Sequence, residues 1–487
     1  MCVGREVVRV NYPSRQGKYA VAAALLVALV FRLSINAALL SANPLPVGND
    51  GSWHLARPAN IGIEGRVPDG SVPDPVEKRF YEYPVPYHLL ILVLNWSTSL
   101  GRLTLFRLLH FVQPLVHVLL VYALLRPSLG RRYASLGAIM AAGTVSTGHY
   151  HGLLFAYPST LGLLLLLASM LLLRHGRTGM AVVVLLAGFQ THYAVATMGP
   201  IIYLLLAIEP MDRRPALTVL TVALAAFVVL WLIPTFATTG HLPKAQTVRN
   251  AADMVPGARS LLERWFPTPP AEDRPVERYI QVESVAYPKL KNLLLLNPVL
   301  ILLALAGLSW RDHLRLIWLP GALLFLAGFP GSYRLMLFAA QLLPLAAAPA
   351  LAQLIREVRN GYPQALLLAL VLIPGPLVET HLAMEWKQVY TPVEYTDALQ
   401  VHDQLRAGDV AACDPVVYSV LAMTGENPGY RIERHDCDPP STYLVLHERC
   451  ECTDCRRAQA PCTQVLPERK EVLRVGSYTV YGSRTAG

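Results

Sequence analysis

Residues 83–96, YPVPYHLLILVLNW, decide how this chain is threaded. The run is apolar beyond Pro86 but only 14 residues long, and it carries Pro84, Pro86 and His88. A helix needs about 20 apolar residues to cross a hydrocarbon core about 30 Å thick, so the run reads as a helix lying at a membrane surface. Were it a crossing, the sidedness of every later segment would reverse.

Upstream, Tyr19 to Ala42 is apolar over 24 residues, broken only by Arg32, Ser34 and Asn36, and follows Arg5, Arg9, Arg15 and Lys18. That is longer than the core of a cleaved leader, so it reads as a first span with its basic end in the cytoplasm. The polar stretch 48–66, GNDGSWHLARPANIGIEGR, then emerges outside with Asp50. Downstream, spans are expected near 104–125, 134–148, 157–173, 178–190, 193–208, 215–236, 292–308, 314–329, 333–353 and 363–382, eleven with the first. With 83–96 on the outer surface, Arg126, Arg131, Arg132, Arg174, Arg177, Arg213, Arg214, Arg311, Arg315, Arg356 and Arg359 join the four amino-terminal cations inside. Only Arg334 falls in the short outer loops. Cytoplasmic loops carry the excess of Lys and Arg, so this count fixes the parity: amino terminus inside, carboxy terminus outside.

Composition agrees with a polytopic α-helical membrane protein: 53% of 487 residues are hydrophobic, 15% are charged and the mean hydropathy is +0.38. The net charge of +9 sits in short clusters between apolar runs instead of on one amphipathic face, which points to topology and away from nucleic acid. Two long outer segments, 43–103 and 237–291, interrupt the spans; no internal repeat, P-loop or dinucleotide loop is present. Residues 1–385 form the expected membrane domain and 386–487 an extracytoplasmic α/β domain. In the latter, a helix around Tyr395 to Arg406, a strand DVAAC, a helix from Pro415 to Met423, and strands TYLVLHE and SYTVYGS suggest a small sheet covered by helices. It holds Cys413, Cys437, Cys450, Cys452, Cys455 and Cys462. Outside the membrane an even cysteine number favours disulfides over the zinc site that C-x-C-x2-C-x6-C in HERCECTDCRRAQAPC would offer.

Polar groups inside spans are costly and mark the chemistry. Arg107, His110, Gln113 and His117 are spaced three, three and four apart, along one side of a helix that should face the bundle interior. Helix-to-helix hydrogen bonding is the plainer reading of the deeper members. His149 and His151 in TGHYHG and His192 in FQTHYA fall at outer span ends, on the face that displays Asp50. A metal there would need a carboxylate that TGHYHG lacks, so no metal is expected. Arg334 in FPGSYRLM could grip a phosphate bidentately, or snorkel to anionic headgroups.

The order of these segments resembles the GT-C superfamily of membrane glycosyltransferases, which includes protein O-mannosyltransferases, lipid A aminoarabinose transferases and oligosaccharyltransferase catalytic subunits. Asp50 in GNDGSWHL matches the family's loop acid, and LARPANIGIEG the segment after it. YEYPVPYHLLILVL resembles the juxtamembrane "YPPLYHLLL", and FRLLHFVQPLVHVLLVYALL the next span, with Arg107 at its usual arginine. Two features depart from the pattern: Pro84 and Pro86 are separated by Val85, with Tyr83 where aminoarabinose transferases carry lysine, and TGHYHGLLFAYP has no acidic pair of the oligosaccharyltransferase kind. The mannosyltransferase branch is therefore the better match, working without metal or other cofactor.

The resemblance implies sugar transfer from a polyprenyl-phosphate-linked donor to a lipid, glycan or protein hydroxyl at the outer face of the cell membrane. Asp50 would be the general base, Arg334 and Arg107 would hold the donor phosphate, and His54, Glu64, Tyr83, His149, His151 and His192 would line the cavity. For His54 and Glu64 a solvated loop face is the plainer reading. A secondary transporter or flippase, or a non-catalytic binder of lipid-linked glycans, is the alternative. Transporters usually show internal repeats and short outer loops, which this chain lacks.

Overall fold

Long apolar segments in lipid satisfy their backbone only within themselves, and this chain does so with helices. The computed structural model describes residues 15–42, 54, 86–144, 153, 156–208, 213–234, 298–309, 313–327, 332–358, 361–385, 391–405, 408–412, 430–434, 443–447 and 470–482. Helix α1 spans Arg15–Ala42, α2 Pro86–Thr98, α3 Arg102–Ala142, α4 Pro158–Arg174, α5 Thr178–Thr191, α6 Tyr193–Leu206 and α7 Arg213–Phe227, which continues into a π-helical turn at Val228–Leu232. Then follow α8 (Pro298–Ala306), α9 (Leu319–Ala327), α10 (Ser332–Glu357), α11 (Gly361–Leu372), α12 (Pro374–Glu385) and α13 (Pro392–Gln404).

Among the described residues, five segments are long and apolar enough to cross a membrane: Val21–Ser41, Arg102–Ala142, Arg213–Leu232, Phe338–Glu357 and Tyr362–His381. Five shorter apolar helices accompany them: Pro158–Arg174, Thr178–Thr191, Tyr193–Leu206, Pro298–Ser309 and Leu314–Leu324. The expected span 363–382 is broken before Pro374, whose ring cannot continue the hydrogen-bond ladder. The surface of the bundle is apolar too: Val27, Val183, Leu302 and Leu323 are all well exposed, which suits lipid and would be a liability in water.

Helix α3 contains the span expected at 104–125 and residues 134–142 of the one expected at 134–148, of which 145–148 lie outside the described residues. At Gly130 the backbone leaves the helical region (φ 72°, ψ 170°), a conformation open to glycine. A Cβ placed on Gly137 would meet the Leu125 side chain. Residues twelve apart lie about 18 Å apart in a straight helix, so the two halves of α3 fold back on each other at Gly130. Helix α10 lies at the centre of the bundle, with almost every side chain from Phe338 to Leu351 buried. Its run of small residues, LAAAPALA, allows close approach: a Cβ on Gly307 would sit 2.0 Å from the Ala346 carbonyl oxygen.

After Thr391 come α13 and a five-stranded mixed sheet, β1 Gly408–Ala412, β2 Tyr430–Arg434, β3 Tyr443–His447, β4 Lys470–Val475 and β5 Tyr478–Gly482, in the order β2-β1-β3-β5-β4. Strand β1 pairs parallel to β2 and β3, whereas β5 pairs antiparallel to β3 and β4. Helix α13 opens with a capping box: Thr391 Oγ1 accepts from the Glu394 amide at 3.2 Å, and the Glu394 carboxylate accepts from the Thr391 amide. The strands read from DVAAC, TYLVLHE and SYTVYGS match β1, β3 and β5, while β2 and β4 were not anticipated. The helix expected at 415–423, the six cysteines of this region and the segment 237–291 lie outside the described residues.

Candidate active site

The two ends of the bundle differ in chemistry, and hydrogen bonds establish which helix termini share an end. Asn36 on α1 donates to the carbonyls of His110 on α3 at 2.7 Å and Leu153 at 2.9 Å. Residues 110 and 153 lie on opposite sides of the Gly130 reversal, so both arms of that hairpin reach the level of Asn36. Six residues on, α1 ends at Ala42. The start of α3, with Arg102 and Arg107, therefore lies at the end of the bundle where α1 terminates.

Helix α10 runs antiparallel to the second arm of α3: a Cβ on Gly137 would touch Ala348, and Thr144 donates to the Gln341 side chain at 2.7 Å. Its first turn, with the backbone of Arg334, thus lies about 10 Å along the helix from Gln341, toward the same end as Asn36 and His110. Helices α4 and α5 are likewise antiparallel. A Cβ on Gly162 would meet His192 and Val195, which brings the α5–α6 junction to the start of α4.

At this end His54 is buried (3% exposed) against α2. Its Nδ1 lies 3.0 Å from Nε2 of His88, itself fully buried, so one imidazole donates to the other. The His54 ring also packs against Tyr87 and Tyr157, with centroids 5.7 and 5.4 Å away. Tyr87 donates to the Ala156 carbonyl, which ties α2 to the residues leading into α4. Tyr157 in turn faces Phe106 on α3, whose ring stacks edge-on with His110 at 4.6 Å. His192 caps α6, accepting from the Ala194 amide at 3.2 Å, and its ring lies on Tyr193. Arg107 is half-buried.

Among the residues expected from sequence, the structure thus gathers His54, Arg107, His192 and the backbone of Arg334 at one end of the bundle. His54 is enclosed, against the expectation of a solvated loop face, because an aromatic pocket receives its ring. Asp50, Glu64, Tyr83, His149 and His151 lie outside the described residues. Tyr87 is not among the expected site residues, and His88 enters the sequence reading only as a polar residue of the run 83–96; the adjacent Tyr-His in an otherwise apolar run is the signal.

The α3 stripe faces inward as its spacing implies. His110, Gln113 and His117 are buried, and the Gln113 side-chain amide makes no hydrogen bond to described residues. His117 sits beside Arg32 and the Gln341 backbone. Arg32 on α1 forms an ion pair with Glu379 on α12 at 2.8 Å, both side chains fully buried, and Nη1 of Arg32 lies 3.5 Å from the carbonyls of Ala142 and Thr144. The opposite end is basic. Arg174 donates to the Leu124 carbonyl at 3.0 Å, Arg213 to the Ala207 carbonyl at 3.3 Å, and Arg356 lies over the Tyr133 ring at 4.4 Å. Among the described residues no group of three or more His, Cys, Asp or Glu side chains could hold a metal ion.

No protein-family model and no curated protein matches this chain. Solved structures do. ArnT from Cupriavidus metallidurans bound to undecaprenyl phosphate superposes with a TM-score of 0.56 at 12% identity, over 97% of this chain and 99% of that one. The arabinofuranosyltransferase AftD from Mycobacteria gives 0.56 at 14%, over 97% of this chain and 40% of that one. The oligosaccharyltransferase AglB from Archaeoglobus fulgidus, in complex with an inhibitory peptide and a dolichol-phosphate, gives 0.55 at 12%, over 97% of this chain and 75% of that one. Against the apo form of the Archaeoglobus enzyme (TM-score 0.55, 14% identity, 85% of this chain), the chain spans 64% of that protein's length. The chain therefore shares its fold with these solved membrane-enzyme structures.

Proposed function

We propose that this protein is a polytopic membrane glycosyltransferase that moves a sugar from a polyprenyl-phosphate-linked donor to an acceptor hydroxyl, with inversion at the sugar carbon. The observation that carries this reading is the convergence of His54, His192, Arg107 and the first turn of α10 at one end of a GT-C bundle. The neighbouring ArnT and AglB structures hold undecaprenyl phosphate and dolichol-phosphate, the carrier chemistry proposed here.

In the reaction, the acceptor oxygen bonds to the anomeric carbon as the carbon–oxygen bond to phosphate breaks, and that electron pair leaves with the polyprenyl phosphate. The acceptor proton passes to Asp50, eight residues beyond the end of α1, acting as general base. Arg334 and Arg107 stabilise the charge that grows on the departing phosphate. His54, Glu64, Tyr83, His149, His151 and His192 line the cavity, and no divalent metal takes part. The fifteen cations that the sequence assigns to the inner segments support the sidedness: amino terminus cytoplasmic, with residues 386–487 forming an extracytoplasmic domain. Lipid, glycan or protein hydroxyls are the acceptors, and nucleic acid is not a partner.

Two substitutions test the roles. Asp50→Asn should abolish transfer while leaving the protein inserted, and near-normal turnover would remove Asp50 from the mechanism. Arg334→Ala should raise the donor concentration needed for half-maximal rate; an unchanged dependence would leave Arg334 as a headgroup anchor.

A further inference from the structure

Pro114 interrupts the first arm of α3, and the break is repaired from outside the helix. Proline has no N–H, so the carbonyl of His110, four residues back, loses its intrahelical donor. Asn36 on α1 supplies the replacement, with Nδ2 donating to that carbonyl at 2.7 Å and to the Leu153 carbonyl at 2.9 Å. Both amide hydrogens of Asn36 are thereby used. Its Oδ1 is a buried acceptor with no hydrogen bond to described residues.

Gln113, directly before Pro114, brings the complementary group. It lies three residues after His110 and four before His117, on one face of α3. Asn36 meets that face at His110 and Arg32 lies beside His117, so the Gln113 side chain faces α1 between these two levels. Gln113 is 2% exposed, and neither Nε2 nor Oε1 has a hydrogen bond to described residues. An apolar bundle thus encloses, within about one helical turn, a donor without an acceptor and an acceptor without a donor. Left dry, each group would carry its full desolvation cost.

We propose that Asn36 and Gln113 bind a water molecule inside the bundle, at the break in α3. Water accepts from Gln113 Nε2 and donates to Asn36 Oδ1, which keeps one hydrogen for a further acceptor and meets the two to four partners that a buried water takes. A neutral donor facing a neutral acceptor fits a molecule that serves as both, and the enclosure keeps it small. Water also re-satisfies proline breaks in other membrane helices. The site ties α1 to α3 about 9 Å along the helix from Arg107, and it does not depend on the proposed sugar transfer.

The experiment uses the full chain purified in detergent, as wild type and Gln113→Leu, which removes both polar groups at similar volume. Synchrotron hydroxyl-radical labelling reads the water directly, because radicals formed from a bound water oxidise the side chains around it where bulk solvent does not reach. After correction for intrinsic side-chain reactivity, residues 106–118 of wild type should be oxidised faster than the equally buried residues 338–351 of α10. Gln113→Leu should lose that difference. Sodium dodecyl sulfate titration adds the sign of the energetics: Gln113→Leu should lower the folded-to-unfolded ratio by about tenfold, since Asn36 Oδ1 and the water lose a partner. A dry amide gives the opposite sign, because removing an unpartnered polar group stabilises. Oxidation of 106–118 no faster than that of 338–351, or an unfolding midpoint of Gln113→Leu at or above wild type, would overturn the proposal. Should Gln113→Leu fail to fold, the wild-type labelling decides by itself.

Discussion

Replacing one member of the Arg32–Glu379 pair should damage the protein more than replacing both. The pair joins α1 to α12 with 2.8 Å between Nη2 and Oε1, and both side chains are fully buried. The remaining contacts of Arg32 are long, 3.5 Å to the carbonyls of Ala142 and Thr144, so Glu379 is its main compensation. Glu379→Leu therefore strands a guanidinium in an apolar bundle. Removing one partner of a buried pair costs about 3–5 kcal/mol, and insertion scales charge an arginine at mid-bilayer about 2.5–3.5 kcal/mol. The two scales meet near 3 kcal/mol, more than a hundredfold in the folded-to-unfolded ratio at about 1.4 kcal/mol per factor of ten. Arg32→Leu should also destabilise, since it takes the guanidinium away from a fully buried carboxylate. The double variant buries no charge, and replacing a buried pair by apolar residues is often neutral or stabilising. Sodium dodecyl sulfate titration of the purified protein in mild detergent, read as unfolding midpoints around the double-mutant cycle, gives the coupling directly. The singles should unfold well before wild type and the double near it. Additive losses, or singles within about 1 kcal/mol of wild type, would refute a dry, mutually dependent pair.

Three further outcomes follow from local geometry. Gly307→Val should lower the free energy of unfolding by about 1–3 kcal/mol, read from the shift of the unfolding midpoint, since its first side-chain atom would collide with the Ala346 carbonyl oxygen. Thr391→Ala should cost about 1 kcal/mol by opening the capping box of α13, detected as faster hydrogen exchange in residues 391–405. A metal chelator should leave sugar transfer unchanged, and loss of rate restored by one divalent ion would contradict the metal-free mechanism.

The helices were legible because a run too apolar for water has few alternatives, and the α3 reversal could be read from Arg126, Pro127, Gly130, Arg131 and Arg132 between two apolar runs. The inward face of His110, Gln113 and His117 followed from their spacing alone. Other features needed the third dimension. Arg32 was visible as an interruption of the first span, yet nothing in one dimension joined it to Glu379, 347 residues later. A carboxylate inside the last expected span was the available signal, because such a group needs a partner. Strands β2 (YRIER) and β4 (KEVLRV) escaped notice because they are charged, and the sheet order explains the charge: both are edge strands, where charged side chains block pairing with other chains. At the candidate site, Arg107 and His192 were legible from type and position. The His54–His88 pair was not, since residues 34 apart meet only once α2 lies across the end of the bundle.

The central claim is sugar transfer from a polyprenyl-phosphate donor. It is tested most directly by incubating the purified full chain with radiolabelled polyprenyl-phosphate sugars and an acceptor mixture, and following the released carrier. The account predicts release of polyprenyl phosphate in step with appearance of label in acceptor, lost in Asp50→Asn. Tight binding of the donors with no release of carrier would contradict it and leave a lipid-linked glycan binder built on a glycosyltransferase fold.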